Sequence, residues 1–311
     1  MSDIRKASVL VTGGAGFIGC NLVNRLVNNF NVRVLDNLSS GTSNLSLIEN
    51  KADIQIGDVT KIEECHQALE GMDYVVHLAA KGNVIESITD PVSNLHANVI
   101  GTLTLLRACE SKGLKRLVFS STGGALMGNC ALPVSETSVP RPISPYGASK
   151  MACEGYLSAF SETIDLPVTI LRFGNVYGRY CGHKVGVFNK ILEAIQQGTK
   201  ITLFNEGRAS RDFVHATDIC RGIELALINT EKHFDVFHLG THKETCIAEL
   251  VEIFEKAVGR SIQTVSAPAR KGEVAFNFAT FEQAKKVLGY SPEVTLEDGI
   301  KDLWHWYQTD Q

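Results

Sequence analysis

Gly13, Gly16 and Gly19 stand three residues apart, directly behind the β-branched run "ASVLVT" and directly ahead of "CNLVNRLVNNF", where Leu22, Val23, Leu26 and Val27 recur at helical spacing. Strand, glycine turn and helix, in that order, narrow the choice of folds more than any other feature of the chain. Without side chains at these points the backbone can turn sharply, approach a pyrophosphate and aim the first amides of a helix at it. The rest of the first half repeats the alternation. "NVRVLD", "DIQIGD", "DYVVHLA" and "KRLVFSS" have strand character and are separated by apolar-periodic stretches. Strands alternating with helices predict parallel β-α units, hence an α/β fold with a doubly wound parallel sheet covered on both faces. From about residue 166 the pattern changes: "PVTILRFGNVYG", "KITLF" and "FDVFHLG" read as strands, "IAELVEIFEKAVG" and the tail from Leu296 as helices. The expected organisation is a dinucleotide-binding domain over 1–165 and a smaller α/β substrate-binding domain over 166–311. A segment near 210–240 is expected to return to the first.

Composition limits the partners. At 311 residues and 44% hydrophobic the chain can bury a large core, and a formal net charge of -4 offers no footprint for nucleic acid or an anionic membrane. Any phosphate must be held locally. Eight cysteines are scattered with no C-x-x-C pair and no Cys/His cluster at zinc spacing, which predicts free thiols and no metal site. The apolar run near the N-terminus is broken by Gly13 and Gly14, too short for a signal segment or a membrane span. The expected location is the cytoplasm.

Asp36 ends the second strand, about twenty residues past the glycines. A carboxylate there accepts the hydroxyls of an adenosine ribose and repels a 2′-phosphate, so NAD is expected rather than NADP. Asn37 follows it, Asp58 and Val59 follow the third strand, and Leu78, Ala79 and Ala80 in "HLAA" follow the fourth. These are carboxyl ends of strands, where open α/β sheets bind ligands, and Phe17 and Ile18 open the glycine-turn helix beside them. Tyr146 and Lys150 in "SPYGASK" lie one helical turn apart and can face one site. A tyrosine pKa of about 10 falls beside an ammonium and an oxidised nicotinamide; roughly three units correspond to about 4 kcal/mol. Ser121 and Thr122 in "SSTGGALMG" end the fifth strand at the same sheet edge, where a hydroxyl can bridge a substrate oxygen and the tyrosine. Taken alone, Tyr-x-x-x-Lys also describes an ordinary amphipathic surface; the neighbouring hydroxyls and glycine loop give it weight.

With these residues in view the chain resembles the extended short-chain dehydrogenase/reductases, and within them the nucleotide-sugar 4-epimerases. Ordered matches run through "VTGGAGFIG", "LDNLSSG", "GDVT", "HLAA", "NVIGT", "FSSTGGA", "SPYGASK", "LRFGNVYG", "SRDFVHATDI" and "ARKGE". The resemblance implies a Rossmann fold, with Tyr146 taking the proton of the sugar's 4-hydroxyl as hydride passes to NAD. The keto sugar then swings over and receives hydride on its opposite face, so NAD is regenerated and stays bound. It further implies that Lys150 lowers the tyrosine pKa and holds the nicotinamide ribose, and that Asn98 lines the cofactor site. Ser121 or Thr122 is the proton bridge, with Ser121 placed ahead. Related 4,6-dehydratases and sugar-acid decarboxylases carry an acidic residue just after that hydroxyl. Gly123 and Gly124 stand here instead, which predicts a reaction that stops at oxidation and re-reduction. Two departures concern cofactor contacts: Met127 replaces a common tyrosine, and Gly82 stands where some members have lysine.

The same resemblance makes Arg211 and Arg270 the cations for a diphosphate, as suits guanidinium forks. It makes Glu273 the acceptor of the uridine ribose hydroxyls, Asn175 the amide near sugar and phosphate, Phe204 a uracil contact and Val187 a further substrate contact. This set implies a UDP-sugar ahead of a TDP-sugar. Asn277 stands where members restricted to unmodified hexoses hold a bulky tyrosine against carbon 2, so it leaves room for an N-acetyl group. The expected reaction interconverts UDP-GlcNAc and UDP-GalNAc, in polysaccharide biosynthesis. Alternatives are UDP-glucose/UDP-galactose epimerisation, epimerisation of a UDP-hexuronic acid with His183 and Lys184 as cations, and, in a different class, a non-catalytic NAD-binding sensor. The family's usual homodimer is expected through the helical stretches at about 92–112 and 146–164.

Overall fold

The computed structural model describes residues 6–182, 186–269 and 274–309. Seven parallel strands form one sheet: β1 (Ser8–Thr12), β2 (Asn31–Asp36), β3 (Asp53–Ile56), β4 (Tyr74–His77), β5 (Arg116–Thr122), β6 (Val168–Phe173) and a last strand, Phe234–Leu239. Their spatial order is last strand, β6, β5, β4, β1, β2, β3. The chain therefore winds outward from β1 through β3 and then returns to the other side of β1 with β4. That reversal opens a crevice at the carboxyl ends of β1 and β4, where sheets of this class take up ligands.

The two faces of the sheet are read directly off the strands. In β1 every residue is buried, with Val9 and Val11 in one apolar cluster and Leu10 in the other, as a period of two requires. Leu171 and Phe173 of β6 join the first cluster, Val168 and Ile170 the second. Helices Phe17–Leu26 and Ala216–Ile228 pack together on the first face; Gly101–Cys109 and Pro145–Thr163 pack on the second.

Short strand pairs complete the second half. Ile201–Phe204 runs parallel with Thr264–Ala267, Asn175–Tyr177 parallel with Phe213–His215, and Ser210–Arg211 antiparallel to Thr245–Cys246. Helices Val187–Gln197, Ile247–Val258 and Leu296–Thr309 surround them. All eight cysteines are free thiols. No helix among the described residues is long and apolar enough to cross a membrane, and no group of three His, Cys, Asp or Glu among them is placed to hold a metal ion.

Candidate active site

The glycine turn is closed by contacts that no side chain fits. Gly13 has φ +72°, and a Cβ there would lie 2.7 Å from Ala79 N; a Cβ on Gly19 would lie 2.1 Å from Gly13 O. The helix Phe17–Leu26 begins at Gly16 with no side-chain cap, and a helix N-terminus favours an anion. Asp36 sits opposite. Its Oδ2 accepts from Ala15 N at 2.9 Å and its Oδ1 from Leu38 N at 2.8 Å, which fixes the carboxylate while leaving lone pairs for further donors. Asn37 Nδ2 donates to Asp58 Oδ2 at 3.0 Å, and Val59 beside it is buried. Gly13, Gly16, Phe17, Gly19, Asp36, Asn37 and Asp58 thus converge on the carboxyl edge of β1–β3.

The loop after β4 is positioned by a buried polar chain. Thr102 gives its one hydroxyl proton to Asn98 O at 2.6 Å, so it accepts from His77 Nε2 at 3.1 Å, leaving His77 Nδ1 to accept from Thr12 Oγ1 at 2.7 Å. Burial, reinforced by the charge of Lys150, pushes His77 down to about 3, so this ring is a neutral strut. The backbone of Leu78 and Ala79 then bonds to Thr12, 3.1 and 3.3 Å away. Asn98 lies in a π-helical turn, His96–Ile100, and its side chain is consumed by the protein. Its Oδ1 accepts from Lys81 N at 2.8 Å, and its Nδ2 donates to Lys81 O at 3.1 Å and Ser149 Oγ at 3.0 Å. Asn98 shapes the loop beyond Ala80. Lys81, one position before Gly82, donates from Nζ to Ser93 Oγ at 2.7 Å.

Helix Pro145–Thr163 starts with a serine cap, Ser144 Oγ accepting from Gly147 N, and proline at its first position. Tyr146 and Lys150 share one face of it. Lys150 is 3% exposed; its Nζ donates to Ser120 O at 2.7 Å and stands 4.5 Å above the Phe119 ring. Burial lowers Lys150 to about 8, with Cys153 and Glu154 opposing that shift. Burial also pushes the Tyr146 phenol up to about 12, and Cys153 adds to it. The protein's own groups therefore keep Tyr146 protonated at neutral pH. The ammonium of Lys150 is turned to the strand carbonyl.

At the end of β5 the two candidate hydroxyls part company. Ser121 Oγ is buried and donates to Glu154 Oε1 at 2.6 Å, on the far side of the strand from Ser120 and Thr122. Thr122 is half-buried, and its Oγ1 accepts only a long 3.4 Å contact from Ala125 N. Gly123 and Gly124 pack where larger residues crowd: a Cβ on Gly123 would meet His238 Nδ1 at 3.1 Å, and one on Gly124 would meet Asn277 Oδ1 at 3.3 Å. Asn277 is 2% exposed and reaches Gly123 O from Nδ2 at 3.4 Å. Met127 fills a small apolar cluster with Leu126, Val134 and Ala279.

Of the remaining candidates, Asn175 is exposed, and its backbone N–H donates to Asp212 O at 2.7 Å. Arg211 Nη1 donates to Ser210 O at 2.7 Å and Ala275 O at 3.3 Å. Phe204 ends its strand opposite Ala267, and Val187 opens its helix. Arg270, Glu273, His183 and Lys184 lie outside the described residues. Two residues that the motifs did not single out are bonded into this region: Glu154, four places past Lys150, accepts from Ser121 and from Arg172 on β6. The repeat of four from Tyr146 was the signal for the first.

Residues 9–240 match the NAD dependent epimerase/dehydratase family. The chain belongs to that family. Its structure is similar to that of UDP-glucose 4-epimerase from Thermotoga maritima bound to UDP-glucose, with TM-score 0.92 and 35% identity over 97% of this chain and 98% of that one. It is similar also to UDP-glucuronic acid 4-epimerase from Bacillus cereus with UDP-glucuronic acid and NAD (TM-score 0.91, 28% identity, 97% and 99% covered). A third likeness is to UDP-N-acetylglucosamine 4-epimerase from Methanobrevibacter ruminantium with UDP-N-acetylmuramic acid (TM-score 0.92, 28% identity, 99% and 100% covered). The family's cofactor is NAD, and the side-chain-free cradle of Gly13–Gly19 with a fixed Asp36 across from it fits that dinucleotide.

Proposed function

We propose that this chain is a UDP-sugar 4-epimerase working through NAD. The observation that carries the reading is the meeting, at one sheet edge, of the glycine cradle, Asp36, Thr122, and a helix presenting Tyr146 and Lys150. The turn amides and Gly13–Gly19 hold the pyrophosphate, Asp36 the adenosine ribose, and Lys150 the nicotinamide ribose. Bound NAD supplies the reversible hydride acceptor and, in its oxidised ring, the positive charge that favours a tyrosine phenolate. Tyr146 takes the proton of the sugar's 4-hydroxyl and later returns it. Thr122 is the proton bridge rather than Ser121, whose hydroxyl is committed to Glu154. Gly123 and Gly124 supply no acid or base, so the keto sugar is only re-reduced.

Replacing Thr122 with valine, which keeps the shape and removes the hydroxyl, is expected to lower kcat by about 10²-fold or more. Ser121→Ala should cost far less than that in kcat, with a stability loss of about 1–3 kcal/mol from the bond to a charged partner. Steady-state kinetics and urea midpoints on both variants check this; the reverse ranking would restore Ser121 as the bridge.

For the sugar, UDP-GlcNAc is the reading favoured by Asn277, whose short buried amide lies against the Gly123–Gly124 turn and leaves the carbon 2 side without a bulky ring. The likeness to a UDP-glucose epimerase at 35% identity supports UDP-glucose as the second substrate. A uronate needs a cation, and Arg172, paired across the sheet with Ser121, already opposes Glu154. Proton NMR of the purified protein with UDP-GlcNAc, UDP-glucose and UDP-glucuronic acid in separate tubes ranks them. Conversion of UDP-glucuronic acid ahead of both would overturn the assignment.

Helices Val84–Thr89, Pro91–Leu95 and Pro145–Thr163 pack together and expose Ile85, Ile88, Val92, Leu95, Met151 and Tyr156, with Val92 at 75%. We propose that a second copy covers this apolar face to form the homodimer, and that the enzyme acts on nucleotide sugars for polysaccharide synthesis in the cytoplasm. Sedimentation should give a dimer that Val92→Glu converts to monomer, since a desolvated carboxylate has no partner in such a patch. A monomeric wild-type protein would exclude the pairing.

A further inference from the structure

Helix Pro145–Thr163 places Glu154 one turn beyond Lys150 and two beyond Tyr146, so the three side chains share a face. Two of them grip consecutive residues of β5. Lys150 Nζ donates to Ser120 O at 2.7 Å, and Ser121 Oγ donates to Glu154 Oε1 at 2.6 Å; the next residue is Thr122. The Glu154 carboxylate is itself clamped by Arg172 of β6, from Nε at 3.0 Å and Nη2 at 2.6 Å. Arg172 pairs with Ser121 across the sheet, so both project from the same face. Side-chain exposures of 7% for Arg172 and 11% for Glu154 mean that both charges have left water. A buried ion pair is poor value as a mere staple, because desolvation consumes much of its attraction, and its best-attested use is to fix register.

We propose that Glu154 is a positioning residue for catalysis: held by Arg172 and bonded to Ser121, it sets the register of the Tyr146/Lys150 helix against the strand that carries Thr122. The inference rests on the roles given above to Tyr146 and Lys150. Sliding the helix moves Tyr146 along β5, and misplacing a reacting group by about 1 Å can cost about 10²-fold in rate. Glu154 also faces Lys150 as its nearby anion, with Arg172 as the counter-charge behind it. His238, beside Arg172 on the last strand, is neutral, pushed down to about 3 by burial and by Arg172. The other titratable neighbours of Lys150 are His77, neutral because burial pushes it down to about 3, Tyr146 on the same helix face, and Cys153, whose thiol burial pushes up.

The test compares wild type, Glu154→Gln and the double variant Glu154→Gln/Arg172→Met. Glu154→Gln keeps the shape but leaves Arg172 unopposed. Its kcat is expected to fall about tenfold or more with KM for the UDP-sugar within about threefold. The alkaline limb of its kcat profile, set by loss of the Lys150 proton, should move down by about one pH unit. The double variant restores zero net charge and should return that limb toward wild type. A second readout does not need turnover: competitive labelling of Lys150 by a small anhydride against pH, read by peptide mass, should show the same downward shift and the same restoration. It keeps this inference separate from the epimerase reading, which fails if wild type converts no UDP-sugar. Should Glu154→Gln not fold, Ser121→Ala leaves the ion pair whole and breaks only the strand contact; kcat about three- to fivefold lower at unchanged KM is expected. An unmoved limb and labelling midpoint in Glu154→Gln, or wild-type kcat in both Glu154→Gln and Ser121→Ala, overturns the proposal.

Discussion

Tyr146→Phe is expected to lower kcat by about 10²–10⁴-fold while the variant still purifies with NAD and binds the UDP-sugar near wild-type affinity. The substitution removes one oxygen. The backbone amide of Tyr146 keeps its bond to Ser87 Oγ at 3.1 Å, the ring keeps its place, and Lys150 keeps its bond to Ser120. On the proposed reading, what is lost is the group that exchanges a proton with the sugar's 4-hydroxyl. The protein's own groups push that phenol up to about 12, so in the proposed reaction the cofactor's positive charge is what favours the phenolate. Isothermal binding of UDP-sugar and the NAD absorbance of the purified variant separate this loss from misfolding. A Phe variant that retains a tenth of wild-type kcat would remove Tyr146 from the reaction.

Gly19→Ala should remove the cofactor altogether. The added Cβ would stand 2.1 Å from Gly13 O and 2.6 Å from Gly14 Cα, both backbone and neither able to swing aside. The turn has to open, which separates the amides proposed to hold the pyrophosphate and unseats Gly13 from its contact with Ala79. The expected product is a protein without bound NAD, inactive without added cofactor, and with a lowered melting temperature. Gly155→Ala is the matched control. It lies exposed in helix Pro145–Thr163 with nothing within 4 Å of the new Cβ, and alanine there is expected to stabilise by about 0.5–1 kcal/mol. Absorbance ratios and thermal melts on the two variants read both effects. NAD retained at wild-type level in Gly19→Ala would show that the cradle does not depend on this approach.

How much of this was legible in the sequence follows from the range of each signal. The five strands of the first half, the glycine turn and the Tyr146/Lys150 helix are local patterns, and each appears where periodicity and turn chemistry put it. The choice between Ser121 and Thr122 was not legible, because adjacent residues on a strand face opposite ways and the register is set by pairing with β6. Our preference for Thr122 rests on the bond from Ser121 to Glu154, a partner 33 positions away. Asn98 shows the same limit: the motif places it beside the cofactor, but its amide is spent on the Lys81 backbone. Gly123 and Gly124 were read for the acids they exclude; their closeness to His238 and Asn277 adds a packing reason that depends on contacts over 100 residues apart. Buried charge networks such as Glu154–Arg172 leave little trace in sequence, since either residue alone reads as ordinary surface polarity.

The measurement that bears most directly on the central claim is proton NMR of the purified protein with UDP-GlcNAc in D₂O, without added NAD. Appearance of the 4-epimer with no deuterium at carbon 4 is the predicted result, because the hydrogen leaves and returns as hydride on a cofactor the protein already holds. Epimer carrying solvent deuterium at carbon 4 would contradict that route, and no epimer from UDP-GlcNAc, UDP-glucose or UDP-glucuronic acid would contradict the function itself.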